Sequence, residues 1–114
     1  MFESGFNHIQ NWNKLSTELA DLYSQRKGQQ AMKQMDEQIA NFKQALYLVN
    51  GFSWSENCNF KEDIATFKYK PFNIVERIEF IHNFTQQYHS YIQLNELYKE
   101  LEKIYAKAMI LESK

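Results

Sequence analysis

Met32, Met35, Ile39, Phe42, Leu46 and Val49 recur at alternating intervals of three and four residues, and no other feature narrows the possible folds as much. That rhythm holds the apolar side chains on one face of a helix and would scatter them over both faces of a strand. It predicts a helix over about 31–49, closed by Asn50-Gly51 because Gly accepts the left-handed backbone that a helix stop needs. A similar stripe at Ile9, Trp12, Leu15, Leu19 and Leu22 predicts an earlier helix over about 7–26. Asn7 is its expected N-cap. Gln25-Arg26-Lys27-Gly28 is its expected end, with basic residues near the negative pole of the helix dipole and Gly28 in the turn. So short a link makes the two helices an antiparallel hairpin.

The second half of the chain is organised by Pro71, the only proline. Its fixed φ and missing N–H mark a boundary, and a helix over about 74–83 follows with Val75, Ile78 and Ile81 facing inward. Asn73 is the expected N-cap, Glu76 the returning half of a capping box, and Phe72 a staple onto the Arg77 stem or Ile78. Pro71, Asn73, Glu76 and Arg77 therefore read as a structural corner. With Val75 and Ile78 turned inward, Glu76 and Arg77 cannot both reach open water, so at least one is expected to tie to the preceding loop. Asn83-Phe84-Thr85 then interrupts the pattern, and Thr85 is the expected cap of a long last helix over about 86–111. On its outer side Lys99, Lys103 and Lys107 read as a solvated face.

Between the halves, residues 50–72 carry Phe52, Trp54, Phe60, Ile64, Phe67 and Tyr69 at neither period, and so read as a packed, aromatic-rich crossover loop with a short helical turn at 63–66. The expected fold is all-α: one domain over 1–114, a small antiparallel four-helix bundle of two helical hairpins joined by that loop.

Charge and cysteine content limit the function classes. Thirteen basic residues against fourteen acidic give a net charge of −1, which provides no broad attraction to phosphate backbones or anionic lipid. Cys58 is alone, which excludes an internal disulfide framework and a cysteine-rich zinc signature and fits a reducing compartment. No basic leader followed by an apolar run opens the chain, and no segment approaches a membrane-spanning length, so the expected location is cytoplasmic.

Candidate chemistry is sparse. Glu79 and His82 have the Glu-x-x-His spacing of a di-iron bundle site, but no second such pair occurs. His82 and His89 are separated by the break near Phe84 and read as surface or interface histidines. Cys58 lacks an orienting partner or oxyanion-hole signature and reads as a free loop thiol. Gly5, Gly28 and Gly51 are too dispersed for a phosphate loop and read as punctuation. No catalytic residue, metal or cofactor is assigned. What stands out is the mixture of rings and cations at Trp54, Phe67, Lys68, Tyr69, Lys70 and Arg77, a candidate partner-binding surface.

The segments YKPFNIVERIEFI and QYHSYIQLNELYKELEKIYAK carry a family pattern in Lys70, Pro71, Asn73, Glu76, Arg77, Phe80, Ile81, Tyr88, Gln93, Leu94, Glu100 and Leu101. Over about residues 67–108 the chain resembles the YpoC-like family of small Firmicutes proteins. It departs from that pattern at Asn83-Phe84, where an Arg-Pro is expected. The resemblance implies no assigned activity. It does suggest a gene context of DNA repair and cell-wall synthesis. The expected function is a non-catalytic cytosolic interaction or adaptor module whose partner is another protein or a second copy. The alternative is a nucleic-acid-associated accessory factor working through Lys68, Lys70 and Arg77. A third is a metal-dependent enzyme built on Glu79 and His82.

Overall fold

A computed structural model describes residues 2–113, and within them the chain is all-α, with no strand. Five helices follow in order: α1 Glu3–Ser24, α2 Gly28–Val49, α3 Phe60–Thr66, α4 Ile74–Asn83 and α5 Tyr88–Glu112. The fifth helix corrects the expectation of four, because the crossover contains α3. Among the described residues no helix is long and apolar enough to cross a membrane.

Side-chain pairs fix how the long helices lie. His8 meets Asn41, so α1 and α2 run antiparallel. Phe6 packs on Tyr105 and Tyr23 on Tyr88, which makes α5 antiparallel to α1. The Tyr98 hydroxyl donates to the Gln38 carbonyl and the Tyr105 hydroxyl to the Ala45 carbonyl, each at 2.5 Å, so α5 runs parallel to α2 in a constant register. α4 packs back on α5, with Phe80 meeting His89.

The core lies between α1, α2 and α5. Trp12 stacks on Tyr98 with centroids 4.7 Å apart, and Phe42 meets the same tyrosine edge-on at 5.2 Å. Such buried rings supply much of the hydrophobic free energy of a small domain. The polar groups around the Trp12–Tyr98 stack are paired. Asn41 donates to the His8 carbonyl at 2.7 Å and the Tyr98 hydroxyl at 3.0 Å, while Trp12 donates to Asn95 at 3.0 Å. These bonds satisfy groups whose burial would otherwise cost free energy.

Several local expectations change. α1 starts at Glu3, so Asn7 lies inside the helix and does not cap it. Left-handed backbone in the first turn falls on Arg26, φ 61°, while Gly28 opens α2. Gly28 is a packing residue: a β-carbon there would lie 2.1 Å from the Gln86 carbonyl oxygen. Gly5 likewise sits within α1 against the Tyr105 hydroxyl. Of the three glycines, only Gly51 uses its conformational freedom, at φ 85°.

α3 is held by a local cap and by a contact remote in sequence. Its N-cap Asn59 accepts from the Glu62 N–H at 3.1 Å, and Tyr47 of α2 donates to Asp63 at 2.6 Å. Asn50, just past α2, donates to the Tyr69 carbonyl at 2.8 Å and accepts from the Tyr69 N–H at 2.9 Å, gripping one residue of the crossover by its backbone. Asn73 does not act as the expected side-chain cap. It adopts left-handed backbone, φ 52°, and makes no capping bond. Nor does Thr85 cap α5: Gln87 occupies that position, and buried Thr85 accepts the Tyr23 hydroxyl on its carbonyl.

Candidate functional site

The α4–α5 face carries a groove of about 470 Å³ lined by Phe72, Asn73, Glu76, Arg77, Phe80, His89 and Gln93. Its geometry starts at the corner. Pro71 is buried, and the left-handed turn at Asn73 sends Phe72 outward instead of stapling it to the helix. The Phe72 ring is 81% exposed. Its backbone is fixed all the same, because the Arg77 guanidinium donates to the Phe72 carbonyl at 3.1 Å.

Arg77 also donates two hydrogen bonds to the Glu100 carboxylate of α5, at 3.0 and 2.5 Å. A bidentate, half-buried pair of this kind is stronger and more directional than an open surface ion pair. The hydrogen bond to Glu100 raises the Arg77 pKa above its ordinary value, burial works against it, and Glu100 and Glu96 add attraction through space. The expectation that one of Glu76 and Arg77 ties to the loop is met by Arg77, while Glu76 faces solvent. Phe80 forms the groove's inner wall, edge-on to His89 at 5.7 Å and tilted against Phe84 at 5.2 Å.

The other residues singled out from sequence do not converge on this groove. Phe67 and Tyr69 are buried, and Tyr47 meets Phe67 edge-on at 4.8 Å. The Tyr69 hydroxyl is buried without a hydrogen-bond partner. Lys68 is exposed above the Tyr69 ring, 5.1 Å from its centroid. Lys70 donates to the Ile64 carbonyl at 2.9 Å, closing the C-terminal end of α3. Trp54 is half-buried under the Lys43 ammonium, which also lies 4.9 Å from the Phe60 centroid; burial lowers the Lys43 pKa. Of the six, Arg77 alone lines the groove.

Glu79 and His82 are exposed beside a second hollow of about 200 Å³, together with Lys43 and Phe60. Among the described residues no three His, Cys, Asp or Glu side chains are grouped to hold a metal ion. Cys58 lies half-buried near the Ser53 carbonyl, at 3.9 Å, beside a hollow that also contains Tyr47 and Asp63.

Phe72, Phe80, His89, Gln93 and Glu100 are the site residues that sequence reasoning did not assemble. Glu100 requires the α4–α5 register, and Phe72 requires the left-handed turn at Asn73, neither of which a periodicity shows. Together these residues offer an apolar seat with a polar rim, while the Arg77 charge is largely neutralised by Glu100. A model of the YpoC-like protein family matches residues 4–113, so the likeness begins in α1 and is not confined to residues 67–108. No curated protein and no solved structure matches the chain.

Proposed function

We propose, from the premise that this chain belongs to the YpoC-like protein family over nearly its whole length, that it is a non-catalytic protein-interaction module with its docking site at the Phe72 corner of the α4–α5 groove. The observation that carries this reading is a large aromatic ring held in the open by a fixed backbone. Phe72 is 81% exposed, yet buried Pro71 precedes it and its carbonyl is bonded by Arg77. A ring on a pre-ordered backbone loses little further entropy when a partner covers it, which is how aromatic anchors become energetic centres of interfaces. Covering such a side chain is worth about 1.5–3 kcal/mol, roughly ten- to a hundredfold in affinity.

On this reading α1, α2, α4 and α5 form a small antiparallel four-helix bundle, with α3 an addition that braces the corner. A cytoplasmic setting goes with it, supported by the lone Cys58. The test is affinity purification from the native cell with wild-type and Phe72→Ala bait. Loss of a specific captured protein with an unchanged melt supports the reading, and identical capture by both baits rejects it.

A further inference from the structure

Lys43 of α2 is half-buried by the packing without being given an acid. Its ammonium lies 4.9 Å from the Phe60 centroid and 5.6 Å from that of Trp54, and among the described residues it joins no ion pair. The rings favour its charged form and burial disfavours it; burial prevails, and the Lys43 pKa is lowered. Beside it, α2, α3 and α4 meet around the hollow of about 200 Å³. Phe60, Val75 and Ile78 give that hollow apolar walls, and Lys61 of α3 with Glu79, His82 and Asn83 of α4 give it a polar rim. Lys61, Glu79 and His82 are exposed, so the rim is open to molecules in solution.

An anion is the simplest guest for an unpaired ammonium, but Glu79 and the C-terminal end of α4 both oppose one here. The surroundings favour something else: an amine that is neutral part of the time, at a small cavity whose rim holds two groups able to carry protons. Those are the requirements of a nucleophilic lysine. We infer that Lys43 is a covalent capture site for small uncharged aldehydes, which it holds as imines in the hollow. The step balances without an oxidant or reductant. The neutral Nζ adds its lone pair to the carbonyl carbon, forming a C–N bond, and the carbonyl oxygen takes up a proton. The carbinolamine then loses that oxygen as water while the nitrogen gives up its protons, so amine and aldehyde become imine and water. Glu79 and His82 are the rim groups able to pass those protons, and Phe60 and Trp54 hold the protonated imine as they hold the ammonium. This site is separate from the Phe72 groove and does not rest on the reading of it.

Labelling of the full chain at neutral pH tests it, with propanal as the aldehyde and sodium cyanoborohydride to reduce any imine to a stable secondary amine. With aldehyde limiting, peptide mapping by mass spectrometry finds about tenfold more adduct on Lys43 than on exposed Lys27 or Lys33. The preference vanishes in guanidinium chloride, where the hollow is gone. Lys43→Arg keeps a cation over the rings, melts like wild type and loses the preferred adduct without transferring it to another lysine. Glu79→Gln combined with His82→Gln slows labelling at Lys43 about tenfold or more and leaves Lys33 unchanged. Adduct spread evenly over the exposed lysines overturns the proposal, as does a Lys43 preference that survives unfolding. An unchanged Lys43 rate in the double variant overturns the proton-carrying role of Glu79 and His82.

Discussion

Gly5 and Tyr105 compete for the same space: a β-carbon on Gly5 would lie 1.7 Å from the Tyr105 hydroxyl oxygen and 2.3 Å from the ring carbon that bears it. The tyrosine cannot retreat freely, because its hydroxyl is bonded to the Ala45 carbonyl of α2. Gly5→Ala therefore destabilises the protein, even though the same change inside an unencumbered helix gains about 1 kcal/mol. Overpacking and the lost hydrogen bond together cost about 2–4 kcal/mol, so the net loss is about 1–3 kcal/mol. Urea denaturation monitored by circular dichroism measures it, and a midpoint at or above wild type contradicts the packing role.

Tyr69 and Asn50 separate two kinds of polar contribution. Removing the unpartnered hydroxyl in Tyr69→Phe is neutral or slightly stabilising, since a buried group without a partner costs free energy. Asn50→Ala removes both bonds to the Tyr69 backbone and loses about 1–3 kcal/mol. Tyr69→Ala deletes a buried ring and costs about 3–5 kcal/mol. Parallel urea titrations rank the three variants in that order.

At the corner, stability and binding part company. Phe72→Ala stays within about 0.5 kcal/mol of wild type because the ring is exposed. Arg77→Ala breaks the bonds to Glu100 and to the Phe72 carbonyl and costs about 1–3 kcal/mol. Both variants reduce partner capture, the first by deleting the anchor and the second by freeing it. An Arg77→Ala melt equal to wild type refutes the bracing role.

Alkaline pH weakens the fold through its tyrosines. Burial pushes Tyr23 up to about 12 from an ordinary 10.0 and raises Tyr47, Tyr98 and Tyr105 as well. Above pH 10 the unfolded chain releases these phenolic protons while the folded chain keeps them, so the unfolded state binds fewer protons and stability falls as pH rises. Below pH 10 both states are protonated and the effect vanishes. The Tyr23 contribution is lost between about pH 10 and 12, and Tyr23→Phe removes that part of the slope. Urea midpoints across this range, with tyrosinate absorbance as a second readout, measure it.

The parts legible in sequence were those whose signal is local. The three-and-four stripe through Met32 and Val49 lies in α2, Asn50-Gly51 ends it, and Ile74–Asn83 matches the expected third helix at both ends. Of α3 only the turn at 63–66 was legible, because seven residues give too few turns for a periodicity, and part of what secures the helix is the Tyr47–Asp63 bond from another helix. Gly5 and Gly28 look like punctuation in a sequence. Their role as close-packing residues depends on Tyr105 and Gln86, far along the chain. Asn73 satisfied the pattern of a capping residue but adopted left-handed backbone, and that single choice turned Phe72 from a staple into an exposed ring. Asn73, Glu76 and Arg77, read from sequence as a corner, all line the groove, whereas of the expected partner-binding rings and cations only Arg77 does.

The approach of Gly28 to the Gln86 carbonyl brings the α1–α2 turn and the α4–α5 turn together where no side chain separates them. Tyr23 bonds the Thr85 carbonyl beside that approach, so neither turn can lengthen without separating the other from its support. At the opposite end Ser53, Ser55, Glu56 and Asn57 are exposed between α2 and α3. The molecule is therefore unequal in its tolerance for added sequence: a tag or reporter domain is accommodated between residues 53 and 57, whereas one placed in residues 25–27 or 84–87 pries the helices apart.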